Sequence, residues 1–212
     1  MDFSKVTVDN LRLKVCEYMS PKRYRHTLGV EKCAVELAKL LKIENLGELS
    51  AAALLHDVSK ELSPDEEKAL INNISDSITD DELNTQPAYH SFTAPLIIMR
   101  DFPELAKETV LGAIRNHTLG APDMSIFDEI IFVADYIEEG RIYESSINLR
   151  FALLSALRAT DDIDKRERLL HGAVISAINF TVDHLEKRER YINKKTLATR
   201  EAFIARGNEP LL

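Results

Sequence analysis

Residues 49–58 read LSAAALLHDV: nearly all apolar, then an imidazole beside a carboxylate. A helix with no polar face belongs inside a bundle rather than on its surface. A carboxylate buried there unpaired costs several kcal/mol or forces a pKa shift, so Asp57 requires a cation or hydrogen bonds to compensate it. Residues 130–137, IIFVADYI, set the same condition at Asp135. The spacing predicts a buried central helix over 49–58 and a second apolar helix that carries Asp135.

Outward from these segments the helical periodicity continues. Thr7 to Met19 predicts a helix with Leu11, Val15 and Tyr18/Met19 on one face. Ser20-Pro21, an N-cap followed by a first-turn proline, opens a long helix to about Leu41. Its apolar stripe is Tyr24, Leu28, Cys33, Leu37 and Leu40/Leu41. Gly47 punctuates the loop before Leu49, and Ser63-Pro64-Asp65-Glu66 is a capping box that starts a helix to about Asn72. Residues 73–87 are polar and acidic and predict a loop with one helical turn. Tyr89 to Asp101 predicts a helix despite Pro95, Pro103 to His117 another, and Thr118 to Asp123 a loop. Ser125 to Asp128 caps a helix that runs to about Glu139 and stops at Gly140. Residues 145–160, 162–190 and 196–206 predict three further amphipathic helices. No repeat and no strand pattern stands out. The reading is one all-α domain over residues 1–212, with a core at about 20–140 and a helical extension at about 145–206.

Composition agrees. The 212 residues are one domain's worth of chain, and 45% hydrophobic with 29% charged is ordinary for a soluble globular protein. Only 7 Gly and 7 Pro are few for a sheet-rich sandwich or barrel. A net charge of -8 argues against nucleic-acid or anionic-membrane binding, both of which use basic surfaces. The N-terminal MDFSKVTVDN lacks the pattern of a signal peptide, and no uncharged apolar run approaches the roughly 20 residues that span a bilayer. Cys16 and Cys33 form neither a disulfide framework nor a Cys-x-x-Cys motif, which fits a reducing cytoplasm, and both read as packing residues. A homodimer is a common state for a small helical domain.

The informative residues are the histidines. Taken singly, a buried His or Asp is more often a hydrogen-bonded core residue than a ligand. In chain order, however, His26, His56-Asp57, His90, His117 and Asp135 each fall on their own predicted helix or helix edge. On facing helices of a bundle such a set points to a mixed nitrogen/oxygen metal site. His171 and His184 have no acidic motif partner and read as structural or surface residues, and EKRERYINKK (186–195) as a solvated helix and loop.

His26, His56-Asp57 and Asp135 resemble the H…HD…D signature of the HD-domain metal-dependent phosphohydrolases. His90 and His117 are similar to the extra ligands of those members with dinuclear sites. The stretches RYRHTLGVEKCAVELA (23–38), AALLHDVSKEL (52–62) and AIRNHTLGAPDMSIFDEIIFVADYIEEGR (113–141) are similar to the bacterial members that are symmetrical diadenosine-tetraphosphate hydrolases. The likeness covers residues 8–205. It implies an HD-type helical bundle with two divalent metal ions in its core. Iron is the metal it implies, although the ligand set also accepts manganese or another divalent ion. His26, His56, Asp57 and Asp135 would hold one ion; Asp57, His90 and His117 would hold the second, with Asp57 shared. It further implies that a metal-activated hydroxide attacks phosphorus in line, releasing two ADP from diadenosine tetraphosphate or a related dinucleoside polyphosphate.

In that picture Asp57 and Lys60 carry the catalysis, and Arg23, Lys60, Thr118 and Arg141 contact the substrate phosphates. Lys60 matches the lysine of an HDxxK pattern, and it shares a side with His56 and Asp57 if the helix continues that far. The chain departs from the family pattern at Tyr136, where a lysine is expected, at Tyr143-Glu144, and at Leu28-Gly29. These positions bear on the nucleotide-binding surface and not on the ligands. Two competing readings are an HD phosphohydrolase of another nucleotide (a mononucleotide or guanosine polyphosphate) and a non-catalytic nucleotide-binding module. Two divalent ions would make a local cationic pocket in an acidic protein, suited to a small polyanion.

Overall fold

Ser20, Ser63 and Ser125 each accept a hydrogen bond from the backbone N–H three residues on, and each starts a helix where the sequence places one. Glu66 and Asp128 return the bond to the cap, which satisfies two orphan donors at each start. The computed structural model describes residues 5–74 and 78–212. The first four residues of the predicted domain and residues 75–77 of the predicted 73–87 loop lie outside the described residues. The α-helices are α1 (Lys5–Val15), α2 (Pro21–Leu40), α3 (Leu46–Leu55), α4 (Pro64–Asn73), α5 (Asp80–Leu83), α6 (Tyr89–Asp101), α7 (Glu108–Asn116), α8 (Ile126–Ile137), α9 (Glu144–Arg158), α10 (Ile163–Glu186) and α11 (Lys194–Ala205). No strand occurs among the described residues, and none of their helices is long and apolar enough to cross a membrane.

Two helices form the centre. Every residue of α3 from Leu49 to Leu55 is buried, and so is every residue of α8 from Asp128 to Ala134. Helix α3 packs on α1, α2 and α7, while α8 packs on α2, α7, α9 and α10. Leu37, Leu54, Leu55, Ile114, Ile130, Ile131 and Leu149 interlock between them with essentially no exposure. Each such side chain contributes roughly 1.5–3 kcal/mol by leaving water. The apolar cluster runs from Val8 of α1 to Phe203 of α11.

Several boundaries differ from the sequence reading. Gly47 lies inside α3, which starts at Leu46 and stops at Leu55. Beyond it the backbone turns tightly through Lys60 N–H to Asp57 C=O and Leu62 N–H to Ser59 C=O, so Lys60 is not on the helix face that carries His56. The single helix predicted over Pro103 to His117 is broken into a short 3-10 turn, Pro103–Leu105, and α7. Leu105 is buried there, and the Lys107 ammonium is drawn to Glu48 at 2.6 Å, with Lys107 itself extended. These tertiary anchors outweigh local helix propensity. Cys16 is exposed rather than packed, its thiol donating to the Leu13 carbonyl. Cys33 is buried, and burial pushes its thiol up to about 12.

Candidate metal centre

Five elements converge on one point. His26 comes from the second turn of α2, His56-Asp57 from the turn that ends α3, and His90 from the first turn of α6. His117 caps the C-terminal end of α7, and Asp135 lies in the last turn of α8. All six candidate ligands are therefore brought together. Donor atoms of His26, His56 and Asp57 lie within 4.8 Å of one another; the same holds for Asp57, His90 and His117, and for His56, His117 and Asp135.

The two oxygens of Asp57 face different partners. Oδ2 lies 3.7 Å from His26 Nε2 and 3.4 Å from His56 Nε2. Oδ1 lies 3.3 Å from His90 Nε2 and 4.0 Å from His117 Nε2. Asp135 Oδ1 stands 3.0 Å from His26 Nε2 and 3.9 Å from His56 Nε2. The Nε2 atoms of His90 and His117 are 2.9 Å apart.

The backbone selects the imidazole tautomers. His56 Nδ1 donates to the Ala53 carbonyl at 2.7 Å, and His117 Nδ1 to the Ile114 carbonyl at 2.6 Å. A carbonyl only accepts, so the proton of each neutral ring sits on Nδ1 and the Nε2 lone pair points into the cluster. His26 Nδ1 faces Glu138 Oε1 at 3.1 Å in the same sense. The Nε2 atoms of His26 and His56 are buried and make no aligned hydrogen bond. Such atoms are costly to leave unsatisfied. A divalent cation answers that cost, since imidazole and carboxylate are its ordinary donors.

The electrostatics agree with that donor set. Burial pushes the Asp57 carboxyl up, but the neighbouring His56, through charge and a hydrogen bond, leads the interactions that outweigh it and hold the group well below its ordinary value. At Asp135 burial is likewise outweighed by the Arg141 guanidinium and by His26 and His56. Burial wins at the second pair. His90 is pushed well below its ordinary value, and His117 down to about 4, so both rings are neutral near pH 7. His56 moves up because Asp57 overrides its burial.

The four candidate substrate contacts also reach this point. Arg23 Nη1 donates to Asp57 Oδ2 at 2.7 Å, and its Nε is buried without a partner. Arg141 binds Asp135 through its carboxylate and, from Nε, its carbonyl at 2.8 Å. Thr118 Oγ1 sits 3.1 and 3.0 Å from the Nε2 atoms of His90 and His117. Lys60 arrives from its turn, Nζ donating to the Pro87 carbonyl at 2.9 Å and lying 2.8 Å from His90 Nδ1. Burial pushes its ammonium down.

Glu138 went unread in the sequence. It is buried, accepts from Gly140 N–H at 2.6 Å and faces His26 Nδ1. Gly29 and Gly140 make its room: a Cβ on Gly29 would lie 2.3 Å from Glu138 Oε2, and one on Gly140 2.9 Å from Oε1. The signal was a carboxylate three residues after Asp135 with a glycine three residues after His26. The remaining histidines separate. His171 donates to the buried Glu129 at 2.7 Å and stacks edge-on to Phe203, a structural role. His184 is exposed but borders a cavity that reaches Asp135.

Known proteins resemble this chain in sequence and fold. The HD domain family model matches residues 23–140. The chain is 34% identical over 188 residues to the symmetrical bis(5'-nucleosyl)-tetraphosphatase of Halalkalibacterium halodurans, covering 86% of this chain and 89% of that protein. It is 29% identical over 186 residues to the Bacillus subtilis protein of the same name, covering 87% and 91%. A Clostridium acetobutylicum protein described as a predicted HD superfamily hydrolase involved in NAD metabolism matches with a TM-score of 0.77. The identity is 26%, and the match covers 93% of this chain and 97% of that one. The matched segment begins three residues before His26 and ends five after Asp135, enclosing all six converging side chains, and the chain belongs to the HD-domain family.

Proposed function

We propose that this chain is a metal-dependent hydrolase that splits diadenosine tetraphosphate and related dinucleoside polyphosphates symmetrically into two ADP. The observation that carries the reading is the division of Asp57, one oxygen toward His26 and His56 and the other toward His90 and His117. The two relatives named symmetrical bis(5'-nucleosyl)-tetraphosphatase support the substrate. In this reading His26, His56, Asp57 and Asp135 hold one divalent ion, and Asp57, His90 and His117 a second, iron or alternatively manganese. When bound, such a pair supplies Lewis acidity toward phosphoryl oxygens and lowers the pKa of water.

The chain's own residues then bind and orient the phosphates. Arg23 and Arg141 now neutralise Asp57 and Asp135. Once cations take over that task, their guanidinium forks are free for phosphate oxygens, which they match in geometry. The Thr118 hydroxyl and the Lys60 ammonium add donors on the His90 side. A cleft of about 780 Å³, lined by Lys22, Arg23, Arg25, His26 and Arg141 together with Glu61, Glu138 and Glu139, leaves room for the phosphate chain. We place this activity in the cytoplasm, where the nucleotide and the free thiols of Cys16 and Cys33 belong.

The test is product analysis on diadenosine tetraphosphate beside metal content. Two ADP per substrate is the expected result. AMP with ATP overturns the symmetrical cleavage, and turnover of a different nucleotide alone overturns the substrate.

A further inference from the structure

Beside Asp135 lies a second cavity, of about 240 Å³, between α8, α9 and α10. Tyr136, Tyr143, Phe180 and His184 line it, with Ser145 and Thr181, whose hydroxyl donates to the Ala177 carbonyl. It shares Arg141 and Tyr143 with the larger cleft, and each cavity reaches the donor cluster, one at Asp135 and the other at His26. Their chemistry differs. The larger cleft sets Lys22, Arg23 and Arg25 among the carboxylates of Glu61, Glu138 and Glu139, whereas the smaller is lined chiefly by rings and short side chains, with Arg141 as its one guanidinium beside Asp135. The smaller volume falls below the roughly 300 Å³ at which pockets for drug-sized ligands begin, so it has room for a base and part of a sugar, not for a dinucleotide. Tyr143 is 61% exposed, so its ring has surface left on which a base can stack. The Tyr136 hydroxyl lies 2.9 Å from Ser145 Oγ, and both residues line the cavity.

We propose that this cavity is the subsite for one nucleobase of the dinucleotide. The base stacks on the aromatic walls, its phosphates pass Arg141 to the donor cluster, and the other half of the substrate lies along the Lys22–Arg25 cleft. Two chemically equal ends are thus held unequally. The inference rests on the dinucleotide reading above and deepens it.

The experiment titrates ADP and inorganic pyrophosphate separately into the metal-loaded full chain by calorimetry. Thr181→Phe fills the cavity, Tyr143→Ala removes an exposed wall, and Tyr143→Phe keeps it. The first two variants are expected to weaken ADP about 10-fold or more, within what base–aromatic stacking supplies. Pyrophosphate affinity and metal content stay constant, and Tyr143→Phe binds ADP as the wild type does. Unchanged ADP affinity in Thr181→Phe and Tyr143→Ala overturns the subsite, as does a parallel loss of pyrophosphate, the mark of a damaged centre. Products from diadenosine tetraphosphate are read independently on the wild type. Two ADP there, with unchanged ADP binding in the variants, overturns the subsite alone. A wild type that neither turns over nor binds ADP overturns it together with the dinucleotide reading.

Discussion

His117 is a ligand candidate whose protonation the fold opposes. Its ring is buried, its Nδ1–H is committed to the Ile114 carbonyl, and burial followed by the neighbouring His56 brings it from an ordinary 6.5 to about 4. The unfolded chain therefore takes up a proton at higher pH than the folded one. The stability that neutral His117 contributes is complete above pH 6.5 and is lost as pH falls toward 4. Between pH 7.5 and 4.5 the loss is on the order of 2–3 kcal/mol. That corresponds to roughly 5–10 °C in Tm for a domain near 200 residues. His56 acts in the opposite sense. Asp57 raises it, so its stabilisation is present at low pH and is lost as pH rises through its folded value, which offsets part of the effect in the wild type. The measurement is therefore a difference: calorimetric Tm of chelator-treated wild type against His117→Gln, whose amide keeps a polar side chain but binds no proton. The wild type should lose about 5–10 °C relative to the variant between pH 7.5 and 4.5. Parallel curves of Tm against pH would refute the argument that the fold holds this imidazole neutral.

Asp57→Asn removes the charge that faces both imidazole pairs while keeping the side chain's shape. Turnover and at least half of the bound metal should be lost with circular dichroism unchanged, and full metal retention in elemental analysis counts against the shared-ligand role. A divalent ion added to chelator-treated protein at about 100 times its Kd should stabilise it by about 2.7 kcal/mol, again several degrees in Tm; an unmoved transition means the cluster holds no ion. Gly29→Ala places a Cβ 2.3 Å from Glu138 Oε2, so that carboxylate must leave His26 Nδ1. Loss of such a supporting partner lowers metal affinity about 10–100-fold. Competition with a chelator measures it, and an unchanged affinity shows that Glu138 does not orient His26.

The cap serines, the apolar stripe of α2 and the punctuation at Gly140 could be read because capping and periodicity act within about four residues of chain. The break at Ala106–Lys107 could not, because it answers to Glu48, 59 residues away, and to the burial of Leu105. Lys60 shows the same limit. Its spacing from His56 predicted a shared helix face, yet α3 ends at Leu55 and the ammonium reaches His90 by another route. Glu138 was invisible for a related reason, since its role depends on His26 112 residues earlier and on the space left by Gly29.

By itself the sequence determined the helical class, most helix starts and the identity of six candidate donors, three of which, His56, Asp57 and Asp135, lie in apolar segments where an imidazole or carboxylate must be compensated. Only the packing of α2, α3, α6, α7 and α8 decided which donors meet and which nitrogen of each ring faces inward. It also decided that an aromatic cavity opens beside Asp135. Donor type is a property of a residue, whereas coordination is a property of distances between segments far apart in the chain.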